Sequence, residues 1–389
     1  MRICMVSPHL PPERGPSASL PAMLGSELRG SHVESDYVAY LPDTPFGPAP
    51  VPGTWRVPHQ GRSSFARSRA GAWIAALRIA RVARVPIARA DLVHLHSSGL
   101  VIEVAAALAK RYGKPWIVTL YDSDLRHYEP RRDRRYTRLV RGAACRAFYS
   151  AALRDRAEAL GLAEPPVVVT RAPAPWAFQR PQASERSHLR RALGVEGPLL
   201  LTIKRMRPVA GHEVLLTAMP QVVARHPDVS LVLAGDGEMR PSLEALAAKL
   251  RIADRVRFIG ALDEGHAARW SAAADLCVLP SHVESWPTQA IEALTLGTPV
   301  VTTDTAGGTE VHDCFPGDVG LVARGDANAL ATAILRWLGE PGRTSEATRQ
   351  RLEQEFTPHA LARVYLDVYR QALGDSSSPV SHASHRRRG

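Results

Sequence analysis

The sequence is poor in lysine and cysteine and contains no long apolar run, and each shortage removes a class of protein. Four cysteines (Cys4, Cys145, Cys277 and Cys314) stand far apart in 389 residues, with no Cys-x-x-Cys pair. Neither a disulfide framework nor a thiolate zinc site is expected, and the spacing suits a reducing, cytoplasmic setting. No stretch approaches the roughly 20 consecutive apolar residues that a bilayer span requires. The opening run Met1–Ser7 stops at Pro8 without a small-residue cleavage site, so it reads as a buried strand rather than a signal peptide. Lysine occurs only at Lys110, Lys114, Lys204 and Lys249, so the formal charge of +11 rests on arginine spread along the chain. That spread, with no nucleic-acid-binding motif beside it, argues against a nucleic-acid partner. An anionic small molecule or a membrane surface stays open as a partner.

What is present is an alternation of short apolar runs with helical patterns, the mark of a parallel α/β architecture. Arg2–Ser7, Val33–Tyr40, Leu92–His96 and Trp116–Leu120 read as strands, separated by helices over Ser19–Arg29, Ser64–Arg84 and Gly99–Tyr112. Leu199–Ile203, Ser230–Ala234, Val256–Ile259, Leu276–Leu279 and Pro299–Thr302 repeat the pattern, with a helix over Met239–Leu250. A chain of this length exceeds one ordinary core. Two doubly wound, Rossmann-like domains are expected, their facing strand ends forming a central crevice. Prolines at 165, 166, 173, 175 and 181 mark the junction. The expected bounds are residues 1–175, a linker at 176–197, and a second domain at 198–352. A last helix at 353–373 is expected to pack back on the first domain, and the apolar-poor tail 374–389 to be disordered. The basic amphipathic stretch Ser64–Val85 and the arginine-dense stretch Arg126–Arg146 each allow two readings, peripheral membrane contact or packing on the chain's own sheet.

The most informative string is Leu279-Pro-Ser-His-Val-Glu284-Ser-Trp-Pro-Thr-Gln-Ala-Ile-Glu292-Ala-Leu-Thr-Leu-Gly-Thr-Pro-Val300. Pro287 suits the first helical position and Gly297 the position just past the end. Glu284 then lies in the loop before the helix and Glu292 in its second turn, both toward the mouth formed by the strand ends. A dipole-favoured cap explains Glu284 alone, but not the whole string. The string resembles that of glycosyltransferase family four and its relatives of the GT-B fold, in which two glutamates bracket seven residues within P-S-x-x-E-x-F/W-G/P…E-A…G-x-P-V. Pro280, Ser281, Glu284, Trp286, Pro287, Glu292, Ala293, Gly297, Pro299 and Val300 all match. The segments His226–Gly237, Val256–Gly260, Gly307-Gly308-Thr-Glu310 and Gly320-Leu-Val follow in the family's order, and Asp91–His96 matches more loosely.

The resemblance implies a nucleotide-diphosphate sugar as donor, no metal and no other cofactor, and transfer with retention of anomeric configuration. It implies that Glu292 bonds the ribose hydroxyls and Glu284 the donor sugar, tasks that suit a carboxylate facing a vicinal diol. Backbone N–H groups near Trp286 and Thr288, and near Gly307 and Gly308, are expected to meet sugar or phosphate oxygens. Gly235 belongs to the same donor set. Positive charge is needed where the leaving diphosphate develops its own. Arg205 matches the family's arginine in Ile203-Lys204-Arg205-Met206-Arg207-Pro208-Val209-Ala210-Gly211, but the family's lysine position is Ala210 and its first glycine is Lys204. Arg207 or Lys204 is a candidate replacement.

Two further departures fall in the first half. Tyr121 stands where a histidine is usual, with Asp124 keeping an acidic position, and Arg14-Gly15-Pro16 replaces a Gly-Gly loop. Gly15, His96, Tyr121 and Asp124 are therefore the acceptor-side candidates. Asp122-Ser-Asp124 also spells the Asp-x-Asp metal motif of the other large glycosyltransferase fold, a reading the rest of the chain does not support. His94 and His96 share a strand face, with no further metal ligand apparent. The expected protein is a retaining glycosyltransferase acting on a small-molecule or glycan acceptor. The alternatives are a silent paralogue that binds nucleotide sugar and a nucleotide-sugar epimerase. Base, sugar and acceptor carry no residue signature.

Overall fold

The computed structural model describes residues 1–11, 16–40, 51–57, 69–126, 128–175 and 177–375. Thirteen strands run through them: β1 (Arg2–Val6), β2 (Glu34–Tyr40), β3 (Thr54–Val57), β4 (Leu92–His96), β5 (Trp116–Leu120), β6 (Cys145–Phe148), β7 (Val167–Val169), β8 (Leu199–Ile203), β9 (Ser230–Ala234), β10 (Val256–Gly260), β11 (Leu276–Leu279), β12 (Val300–Thr303) and β13 (Val319–Val322). The chain divides into two units, Met1–Arg171 with the chain from Pro358 onward, and Ala172–Thr357.

The first unit holds a seven-stranded sheet in the order β3-β2-β1-β4-β5-β6-β7, parallel throughout. Central strands of such a sheet are covered on both faces and read as continuous apolar runs. β4 obeys this with every residue buried, although two of its five are histidines. The helix Arg69–Arg89 buries Ala75, Ile79, Ala83 and Ile87 at helical spacing, and leaves Trp73 and Leu77 exposed. Its expected first residues, 64–68, lie outside the described ones, as do Gly15 and residues 376–389. The helix Pro358–Ala372 belongs to this unit and buries Tyr365 and Tyr369 completely. Their hydroxyls reach Thr119 and His94 at 2.8 Å each, which satisfies polar groups inside an otherwise apolar sheet.

The second unit holds a six-stranded parallel sheet in the order β10-β9-β8-β11-β12-β13. Its main core packs Leu200, Leu231, Leu233 and Val278 of the strands against Leu215, Met219 and Val222 of the helix His212–Arg225.

Four strands were not expected: β3, β6, β7 and β13. β6 was hidden by its composition, Cys-Arg-Ala-Phe, inside the arginine-dense stretch. Arg146 is nonetheless 3% exposed, and its guanidinium donates to Val140 O at 2.9 Å, capping the helix Arg134–Arg141. The segment 176–197, expected as linker, contains the helix Ala183–Ala192, opened by a reciprocal cap between Gln182 and Glu185. Arg186 and Arg190 bind Asp275 at 2.6 and 2.8 Å, so this helix is part of the second unit. No helix among the described residues is long and apolar enough to cross a membrane.

Candidate active site

In a doubly wound sheet the strand order reverses at one point, and the loops there diverge and open a ligand crevice at the carboxyl ends of the strands. In the second unit that point lies between β8 and β11. The loops after these strands hold Lys204, Arg205 and Arg207 on one side, and Ser281 to Pro287 on the other. Backbone contacts fix both. Lys204 N–H donates to Ala234 O at 2.8 Å and Met206 N–H to Asp236 O at 3.0 Å. Gly235 has φ +131°, and a β-carbon on it would lie 2.1 Å from Lys204 O. Gly211, at φ +69°, would set one 1.9 Å from Pro280 O. Both glycines are demanded by close approach of two backbones as well as by conformation.

On this frame Lys204 spans the reversal point. Its Nζ donates to Ser281 Oγ at 2.7 Å and forms an ion pair with Glu284; the two charged side chains are 23% and 20% exposed. Arg205 and Arg207 are exposed, and neither guanidinium has a hydrogen bond or ion pair among the described residues. Ala210 is buried in the short turn Pro208–Ala210. Beneath the loop His212 is buried with both ring nitrogens unpartnered, and burial together with nearby Lys204 pushes it down to about 4, so it is neutral.

Glu292 occupies the second turn of the helix Thr288–Thr295. The residue is half-buried, and its carboxylate has no partner among the described residues. Burial, aided by the charge of Glu264, raises it from 4.5 to about 7. The indole of Trp286 is buried, donating to Ala172 O at 3.3 Å and stacking on Phe356 with a 6.1 Å centroid separation. Only its backbone N–H, unbonded among the described residues, is left for a ligand. Thr288 N–H is directed back to Trp286 O at 3.1 Å.

The amides of Gly307 and Gly308 are engaged within the fold. Gly307 N–H donates to Glu284 O at 2.9 Å and Gly308 N–H to Thr305 Oγ1 at 3.1 Å. Both amides expected to meet a diphosphate are therefore already used. The glycines also serve packing: a β-carbon on Gly307 would fall 2.5 Å from Ser285 C, and one on Gly308 2.1 Å from Thr303 O. They pin the loop that carries Glu284.

In the first unit the order reverses between β1 and β4. His96, Tyr121 and Asp124 come together here; Gly15 lies outside the described residues. His96 Nδ1 lies 3.1 Å from the Tyr121 hydroxyl, while its Nε2 is buried without a partner, and burial lowers the ring to about 3. Asp124 accepts from Ser97 Oγ at 2.7 Å, Ser98 Oγ at 2.8 Å and the Tyr121 N–H at 2.9 Å. Burial raises its carboxyl despite these bonds. Ser97, between His96 and Asp124, holds φ +74°, a conformation that costs energy for any residue but glycine. Asp122 pairs with Arg126 and, at 3.6 Å, with Arg156, and the described residues include no group of three or more His, Cys, Asp or Glu placed to hold a metal. Ser97, Ser98 and Tyr149, whose ring meets Tyr121 edge-on at 5.2 Å, escaped the sequence reading because serine and tyrosine carry no positional signal there.

Residues 185–355 match the family model of glycosyl transferases group 1, and residues 22–173 that of the glycosyl transferase 4-like domain. A glycogen synthase of Mycobacterium tuberculosis is 30% identical over 324 residues, spanning 78% of this chain and 74% of that protein. D-inositol 3-phosphate glycosyltransferase 2 of Catenulispora acidiphila is 36% identical over 192 residues, 46% of this chain and 44% of its own. Among solved structures, the sucrose-phosphate synthase of Thermosynechococcus elongatus superposes with a TM-score of 0.75 at 22% identity, covering 96% of this chain and 100% of that one. Anabaena HepE, in complex with UDP and glucose, gives 0.75 at 18% identity, covering 95% and 100%. At these identities the structural likeness is one of fold, the GT-B architecture.

Proposed function

The chain belongs to the group 1 glycosyltransferases, and from that membership we propose that it moves a sugar from a nucleoside diphosphate to an acceptor hydroxyl with retention of anomeric configuration. The observation that carries the donor assignment is the placement of Glu284 and Glu292 on the loop and helix that follow β11, beside the reversal point of the second sheet, with two guanidinium groups on the neighbouring loop that have no partner among the described residues. A carboxylate accepts from two vicinal hydroxyls at once. Glu292 holds the ribose and Glu284 the sugar. The UDP held by one structural neighbour supports a nucleotide donor of this kind.

In the transfer, the bond between the anomeric carbon and the diphosphate oxygen breaks, and its electron pair leaves with the phosphate. The acceptor oxygen forms the new bond on the same face, and its proton passes to the departing phosphate oxygen. Arg205 and the Trp286 N–H oppose the charge that develops there. No carboxylate acts as nucleophile. The acceptor is a small molecule or glycan whose hydroxyl addresses the first unit at the Ser97–Ser98 turn, next to the buried His96 ring. The Tyr121 hydroxyl and Asp124 keep that ring and the Ser97–Ser98 turn in place.

The test is titration with a panel of nucleotide sugars, followed by anomeric analysis of the product by NMR. Binding of one sugar nucleotide and a product of unchanged anomeric configuration are expected. A panel with no binder overturns the donor assignment; an inverted product overturns the mechanism.

A further inference from the structure

Lys204 presents a conflict that the proposed donor reading, on which this inference rests, does not resolve. Its ammonium is seated on the carboxylate assigned to the sugar, and Ser281 shares it. Its backbone cannot shift, because the N–H is bonded to Ala234 O and the carbonyl lies against Gly235. The four-carbon stem can shift, since rotation about its bonds carries the head without disturbing the loop. The neighbouring cations Arg205 and Arg207 have no partners among the described residues, and His212 beneath is neutral. A nucleoside diphosphate entering at this point brings more negative charge than Glu284 holds, at a position the same ammonium can reach.

We infer that Lys204 is a cation with two stations. In the empty site it neutralises Glu284; when donor enters, it transfers to the diphosphate and frees the carboxylate for the sugar hydroxyls. The site thus obtains its second phosphate-binding cation from the end of β8 rather than from the turn at Ala210. Glu284 and the diphosphate compete for one ammonium, so a nucleoside diphosphate lacking sugar binds against that competition. The donor sugar, by occupying Glu284, relieves it.

A double-mutant cycle tests this. UDP, GDP, ADP and dTDP are titrated calorimetrically, and the tightest is carried forward with its monophosphate as control. Lys204→Met should weaken the diphosphate about tenfold, the scale of one charge-assisted contact, and leave the monophosphate within about twofold. Glu284→Gln should tighten the diphosphate roughly three- to tenfold, because the competing carboxylate is gone, and should do nothing in the Lys204→Met background. Lys204→Arg should retain part of the diphosphate affinity, with thermal melts confirming that each variant folds. Unchanged or weaker diphosphate binding by Glu284→Gln, or tightening that persists without Lys204, overturns the exchange while leaving the donor site standing. If none of the four diphosphates binds wild type, the donor reading itself falls, and this inference with it.

Discussion

The two sheets reverse at equivalent points but furnish them in opposite ways. In the second unit, charged side chains are left partly accessible and under-committed: Arg205 and Arg207 have no partners among the described residues, Glu292 has none, and Lys204 and Glu284 have each other. In the first unit the polar groups are buried and tied together, with Asp124 accepting from three donors and His94 bonded through both ring nitrogens. One arrangement stores unsatisfied electrostatics for a ligand; the other spends them on holding a surface rigid. His96 Nε2, buried without a partner among the described residues, breaks the second pattern.

Substitutions separate the two. Asp124→Ala leaves the Ser97 hydroxyl and the Tyr121 N–H buried without an acceptor, and should lower stability by roughly 2–4 kcal/mol in urea denaturation. A loss below about 1 kcal/mol would show that the first site is not the rigid one. Glu284→Gln should instead leave the denaturation midpoint nearly unchanged, while kcat/KM for transfer falls about a hundredfold. If stability falls as much as activity, the contrast between the units disappears.

Glu292 sharpens the contrast through pH. Its carboxyl is raised from 4.5 to about 7, so the folded state holds the proton more tightly than the unfolded chain. Its stabilising contribution is complete below 4.5 and is lost as pH climbs through 7. Relative to wild type, Glu292→Gln should therefore gain stability across that window, by about 1–2 kcal/mol after allowance for solvent screening. A flat difference would mean that the carboxylate is solvated like a surface group. Smallest of all, Arg207→Ala should change donor KM by less than about threefold, against roughly tenfold for Arg205→Ala. Equal effects would mean that both guanidiniums face the diphosphate.

Much of this was legible beforehand, for identifiable reasons. β4, β5, β8, β9 and β11 are short apolar runs bounded by turn residues, and the structure gives them the expected bounds. Glu284 and Glu292 stood out because proline and glycine mark their helix. Arg146 misled because its charge suggests solvent, whereas the carbonyls that receive it come from a helix end placed there by the tertiary fold. Lys204 and Glu284 lie 80 residues apart, so nothing local couples them; strand order does. Gly307 and Gly308 were readable as a helix start, but not the fact that Glu284 O and Thr305 Oγ1 already hold their amides.

The last helix has a consequence for biosynthesis. The second unit is contiguous, residues Ala172–Thr357, so it needs no later part of the chain in order to close. The first unit waits: until Tyr365 and Tyr369 emerge, Thr119 and His94 have each other but not the tyrosine hydroxyls. The part of the chain translated first is thus the part finished last.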